Sequence, residues 1–123
     1  MSGNKLLLDT NIILYYLSGD GKLGPLLEES DLYISIITEI ELMGYSGFKK
    51  EDLEDVQKFL SFCTVRRLNE RVKDQAIQLR RKNKLKLPDA IILATALVYE
   101  IPFLTADKDF KKIKSGQIVI YEN

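Results

Sequence analysis

Short apolar runs alternating with helix-length segments constrain this chain most. The runs are KLLL at 5–8, a β-rich stretch over 32–36 in LYISII, CTVR at 63–66, PFLT at 102–105 and QIVIYE at 117–122. Each has strand length and strand composition. Between them lie NIILYYLSG, stopped by Gly19 and Gly21, and LGPLLEES with Pro25 near its start. TEIELMGYS, an amphipathic helix over 50–62 and a charged helix over about 69–84 follow. LPDAIILATALVYE has Pro88 in a first helical turn and is apolar almost throughout, so it is expected to be buried on most of its circumference. ADKDFKKI gives one more helical turn. Strands alternating with helices predict a parallel sheet covered on both faces, and such sheets carry their sites beyond the carboxyl ends of the strands.

At 123 residues, the chain is expected to form a single domain over 1–123 with a sizeable core. With 46% apolar and 29% charged residues, disorder is not expected. Eighteen basic residues balance eighteen acidic ones, so no global positive field draws in nucleic acid, and any such contact needs a local patch or a metal. Histidine is absent, which removes Ser–His and Cys–His catalysis and most zinc sites. The single cysteine, Cys63, cannot pair within the chain and reads as a small core hydrophobe. No run reaches the roughly 18 apolar residues of a membrane span, and the N-terminus lacks a signal-peptide pattern, so a cytoplasmic, membrane-free protein is expected.

Four acids fall where the sheet rule places a site. Asp9 ends the first apolar run, Asp89 opens the apolar helix, Asp107 follows PFLT, and Glu41 lies one turn into the helix after YISII. Singly, each aspartate is adequately explained as a helix cap or first-turn acid. At about 100° per residue, with Ile37 at zero, Ile40 and Gly44 mark an inner face; Glu41 then falls on its edge and Glu39 nearly opposite, in solvent. Convergence would demand more than capping. Two carboxylates about 5 Å apart repel by about 3 kcal/mol at an effective dielectric near 20. A cluster must raise its pKa values or take up a cation. All-oxygen donors favour Mg²⁺, with Mn²⁺ as a substitute, and the chemistry such a site supports is metal-assisted phosphodiester hydrolysis.

These stretches resemble the PIN-domain family, specifically its VapC-like toxin ribonucleases. LLLDTN resembles the family's opening strand with its first acid, ISIITEIELMGY the segment carrying the second, LPDAIILATAL the third, and FLTADKDFKKI the last. The resemblance covers nearly the whole chain. It implies a three-layer α/β/α sandwich with a five-stranded parallel sheet of order 3-2-1-4-5. It also implies a Mg²⁺-dependent endoribonuclease acting on RNA, often a homodimer, neutralised by a cognate antitoxin. By carry-over, Asp9, Glu41, Asp89 and Asp107 are the catalytic, metal-centred acids, and Asn11 and Thr105 match supporting polar positions. Either Asp107 or Asp109 can be the fourth acid; Asp107 is nearer the strand end, which leaves Asp109 as a supporting residue or a surface charge.

Two basic groups, RRKNKLK (Arg80 to Lys86) and Lys108, Lys111, Lys112 and Lys114, suit either solvent or phosphate contact. The six tyrosines show no stacking arrangement and read as core-edge residues. The apolar IILYYL face can serve a dimer or an antitoxin helix. A dehalogenase-like phosphatase would need an Asp where Asn11 stands, and a receiver domain a second acid at the first strand. A catalytically inactive PIN scaffold that binds RNA or protein is the alternative reading.

Overall fold

The computed structural model of the protein describes residues 4–122. Its strands are β1 (Lys5–Leu8), β2 (Asp31–Ser35), β3 (Cys63–Arg66), β4 (Phe103–Thr105) and β5 (Ile118–Ile120). The helices are α1 (Thr10–Leu17), α2 (Leu23–Glu28), α3 (Ile36–Met43), α4 (Lys50–Leu60), α5 (Glu70–Lys82) and α6 (Leu87–Val98), with a 3-10 turn at Lys108–Lys112. Every strand pair is parallel and the order is β3-β2-β1-β4-β5, as the resemblance implies. The chain builds outward from β1 in one direction, then returns to place β4 on its other side. The carboxyl ends of β1 and β4 thus flank the point where strand order reverses.

Strand alternation sends successive side chains into two cores. Leu7 and Phe103 point into one with Val72, Ala76 and Leu79 of α5 and residues Ala90 to Ala94 of α6. Leu6, Leu8, Ile34 and Leu104 point into the other with Ile12 and Ile13 of α1, Leu23 and Leu27 of α2, and Val56 and Phe59 of α4. Helices therefore cover both faces. Seven consecutive residues of α6, Ala90 to Ala96, are buried, because its alanines let the helix lie close on the sheet. Truncating a fully buried residue such as Leu7 to alanine would cost about 2–5 kcal/mol. Among the described residues no helix is long and apolar enough to cross a membrane. The expected domain over 1–123 includes residues 1–3 and 123, which lie outside the described residues.

Several element ends differ from expectation for local reasons. β2 stops at Ser35, whose Oγ accepts from the N–H of Ile37 at 3.0 Å and caps α3, so the helix starts at Ile36, before TEIELMGYS. α4 ends at Leu60 rather than 62, leaving Phe62 72% exposed. Asn69 caps α5, its Oδ1 accepting from Val72 N–H at 2.9 Å. Cys63 packs against the second core and donates to the Phe59 carbonyl at 3.7 Å; burial pushes its thiol up to about 12.

The expected inner face of α3 is wrong. Ile40 is 59% exposed, whereas Thr38 and Leu42 are buried. The true inward direction lies roughly midway between Glu39 and Glu41 around the helix, so periodicity does not separate them. Glu39 is half-buried rather than fully solvated.

Candidate active site at the carboxyl edge of the sheet

Asp9 continues β1 by one residue: its N–H donates to the carbonyl of Leu104 on β4 at 2.9 Å. It also caps α1, Oδ1 accepting from the Thr10 N–H at 2.9 Å. The Thr105 hydroxyl at the end of β4 donates to Oδ2 at 2.6 Å, and Asn11 Nδ2 approaches the same oxygen at 3.5 Å. Asn11 Oδ1 in turn accepts from the Ala106 N–H at 3.2 Å. These contacts tie the start of α1 to the end of β4 across 95 and 96 positions of sequence. Only about 5% of Asp9 is exposed.

Thr105 carries the connection onward. Its Oγ1 accepts from the Asp107 N–H at 3.0 Å, and Asp107 Oδ1 accepts from the Asp109 N–H at 2.9 Å, capping the 3-10 turn. Glu41 is held from α1: the Thr10 hydroxyl donates to its Oε1 at 2.6 Å. A hydroxyl has one proton. Once Thr10 directs it to the carboxylate, the 3.2 Å contact between Thr10 Oγ1 and buried Thr38 Oγ1 requires Thr38 to donate. A relay from Thr38 through Thr10 to Glu41 results. Asp89 sits in the first turn of α6, half-buried.

Asp9, Glu41, Asp89 and Asp107 all line one cavity of about 630 Å³, with Thr10 and Asn11; Leu14, Leu42, Tyr45 and Phe48 complete its lining. The carboxylates influence one another. Burial raises Asp9 from 3.8 to about 6; hydrogen bonds from Thr105 and Thr10 oppose the rise, and the charges of Asp89 and Glu41 add to it. Asp89 is raised by burial first, then by Asp107 and Glu41, against the opposing charge of Lys86. Asp109 has an exposed side chain; its N–H is bonded to Asp107 Oδ1, and its charge adds to the rise at Asp89.

Helix capping is therefore real at Asp9 and Asp107, but it does not explain four carboxylates on one cavity. Among the described residues no three acids stand close enough to form a ready-made metal cage. The hard, all-oxygen donor set suits a cation that keeps most of its water and takes one or two carboxylates directly, as Mg²⁺ does.

The residues carried over from the resemblance come together here, with Thr105 and Asp109 outside the lining: Thr105 is bonded to Asp9 and Asp109 to Asp107. Thr10 and Thr38 are site residues that sequence reasoning missed. Thr10 follows Asp9 directly, and Thr38 precedes Glu41 by three residues, the spacing that puts two side chains on one helical face. The tyrosines are not all core-edge residues either, since Tyr45 is 57% exposed on the cavity.

Known proteins bear on this arrangement. The sequence matches the PIN domain family over residues 6–116. A chain of a toxin-antitoxin complex from Klebsiella pneumoniae superposes with a TM-score of 0.83 at 33% identity, covering 96% of this chain and 99% of that one. A chain of VapBC2 from Rickettsia felis, solved bound to a DNA fragment from their promoter, gives 0.82 at 21% identity, over 96% and 99% of the two chains. DNA-bound VapBC from Salmonella typhimurium gives 0.81 at 21% identity, over 95% and 98%. No curated protein sequence matches the chain. The family match over most of its length, on a sheet of the same order, establishes that the chain belongs to the PIN domain family.

Proposed function

We infer that this protein is a Mg²⁺-dependent endoribonuclease, the toxin of a VapBC-type pair. The observation that carries the reading is the convergence of Asp9, Glu41, Asp89 and Asp107, from four separate segments, on one cavity beside the β1–β4 switch point. The likeness to a chain of a toxin-antitoxin complex supports an antitoxin partner. A homodimer, an RNA substrate, a cytoplasmic location and one domain over 1–123 complete the proposal. Mn²⁺ is expected to substitute for Mg²⁺.

Asp9, Glu41, Asp89 and Asp107 are the residues that would hold the cation. When bound, it supplies charge neutralisation at the phosphate and lowers the pKa of a coordinated water. The chain's own groups prepare the site. Thr105 and Thr10 fix the Asp9 carboxylate through bonds of 2.6 and 2.9 Å. Thr10 also aims Glu41. Asn11 keeps the loop after β4 in place. Asp89, whose proton affinity is raised by burial first and then by its acidic neighbours, is suited to orient a water and accept a proton from it.

The test is cleavage of RNA with Mg²⁺, with EDTA, and by the Asp9→Asn variant. Cleavage restricted to the wild type with Mg²⁺ is expected. Full activity of Asp9→Asn, with its fold intact, rejects the site. A protein that binds RNA or a partner without divalent-dependent cleavage is the inactive scaffold instead.

A further inference from the structure

The cavity has a second character that the acids do not use. Tyr45, in the GYSGF segment between α3 and α4, lines it with 57% of its surface exposed. Its ring is held rather than loose. Phe48 packs against it edge-on, with centroids 4.8 Å apart and planes at 75°. The ring also lies over Gly47, where an added Cβ would come within 2.5–2.6 Å of Tyr45 Cε2, Cζ and Oη. Glycine is thus what allows the ring to rest there. Among the described residues the Tyr45 hydroxyl has no hydrogen-bond partner, which leaves the aromatic face as the working surface.

We propose that Tyr45 is a stacking platform for an unpaired nucleobase next to the phosphate held by the acids. The proposal rests on the nuclease reading above. A cation held by carboxylates engages the charged phosphate of a nucleotide rather than the flat face of its base. The uncharged, flat part needs a different surface, and an exposed aromatic face in the same cavity is the surface that accepts any base. Edge-on support from Phe48 and the seat on Gly47 fix the ring beforehand, so little freedom is lost when a base stacks. A paired base keeps its faces covered by its neighbours, so the occupant is single-stranded RNA or a splayed loop.

Two probes test this: a mixed-sequence single-stranded RNA and a matching strand of abasic ribose phosphates. Cleavage is measured on otherwise wild-type protein with Mg²⁺, and binding on protein carrying Asp9→Asn so that nothing turns over. Tyr45→Ala and Tyr45→Leu should raise KM about 5- to 150-fold, the loss of one base stack, with little change in kcat. Tyr45→Phe should stay within about twofold. Gly47→Ala, which keeps the ring but unseats it, should raise KM in the same direction. The wild type should prefer the normal RNA over the abasic strand, and Tyr45→Leu should lose that preference.

Equal discrimination by wild type and Tyr45→Leu overturns the proposal. So does a Tyr45 variant that keeps its KM for RNA while losing a partner protein, which would make the ring a protein contact. If Tyr45→Ala does not fold, Tyr45→Leu and Gly47→Ala decide the matter in its place. Absence of Mg²⁺-dependent cleavage by the wild type defeats the nuclease reading alone, because the binding arm still reports whether Tyr45 distinguishes bases from bare backbone.

Discussion

Two cavities, each lined in part by residues of α1, differ in what they can do. One, of about 420 Å³, lies among Tyr16, Leu27, Glu28, Leu32, Phe59 and Phe62. It holds one acid, and its aromatic pair, Tyr16 and Phe59 at 5.3 Å, belongs to the second core. The other, at the β1–β4 switch point, also has apolar walls but collects four carboxylates. Apolar concavity is common to both, so it identifies neither. The distinguishing feature is charge brought together from distant segments against its own repulsion. A fold tolerates that only if something else compensates, and a cation is the simplest compensation.

The contrast should break first at Asp9. Asp9→Asn is expected to lower Mg²⁺-dependent RNA cleavage by about 100-fold or more, the scale of losing a group that acts on the transition state. Glu28→Gln in the other cavity should leave cleavage within about twofold. Comparable losses from both would erase the distinction.

Next in size is a pH effect on stability without added cation. Folded Asp9 keeps its proton up to about pH 6, whereas the unfolded chain releases it near 3.8. The folded state therefore binds more protons between those values, and stability falls as pH rises through that window, by about 3 kcal/mol in all. Denaturant titrations from pH 4 to 7 should show this fall in the wild type relative to Asp9→Asn, and Mg²⁺ should reverse it. A difference independent of pH would mean that Asp9 is not held against its own charge.

Thr105→Val sharpens the comparison further. It removes the 2.6 Å bond to Asp9 Oδ2 and should cost about 1–3 kcal/mol in denaturant unfolding. Because that bond holds the Asp9 pKa down, its loss should also move the acid limb of the pH–rate profile upward. The smallest effect belongs to the other cavity: Phe62→Ala, at a side chain 72% exposed, should change stability by no more than about 0.5 kcal/mol and leave cleavage unaltered.

Strand and helix identities were legible because the chain switches sharply between a period of two and a period near 3.6. LLLDTN carried its message in three adjacent facts: a buried strand, an acid at its end and a helix start. Direction on α3 was not legible, because periodicity there was judged by apolar residues. Thr38 turns inward since it has a hydroxyl partner in Thr10, while Ile40 is left in solvent. A hydrophobic scale assigns the face wrongly whenever a polar network is what gets buried. Asn11 and Thr105 could be named only through the family resemblance, since their partners lie 95 and 96 positions away. Tyr45 was hidden for a similar reason: nothing in GYSGF says that its ring will share a cavity with Asp9.

Calorimetric titration of Mn²⁺ into the wild type, Asp9→Asn and Asp89→Asn most directly tests whether these carboxylates share one cation. One saturable site in the wild type, weakened in both variants although the two positions lie far apart in the chain, is the predicted result. An isotherm unchanged by either substitution would contradict it.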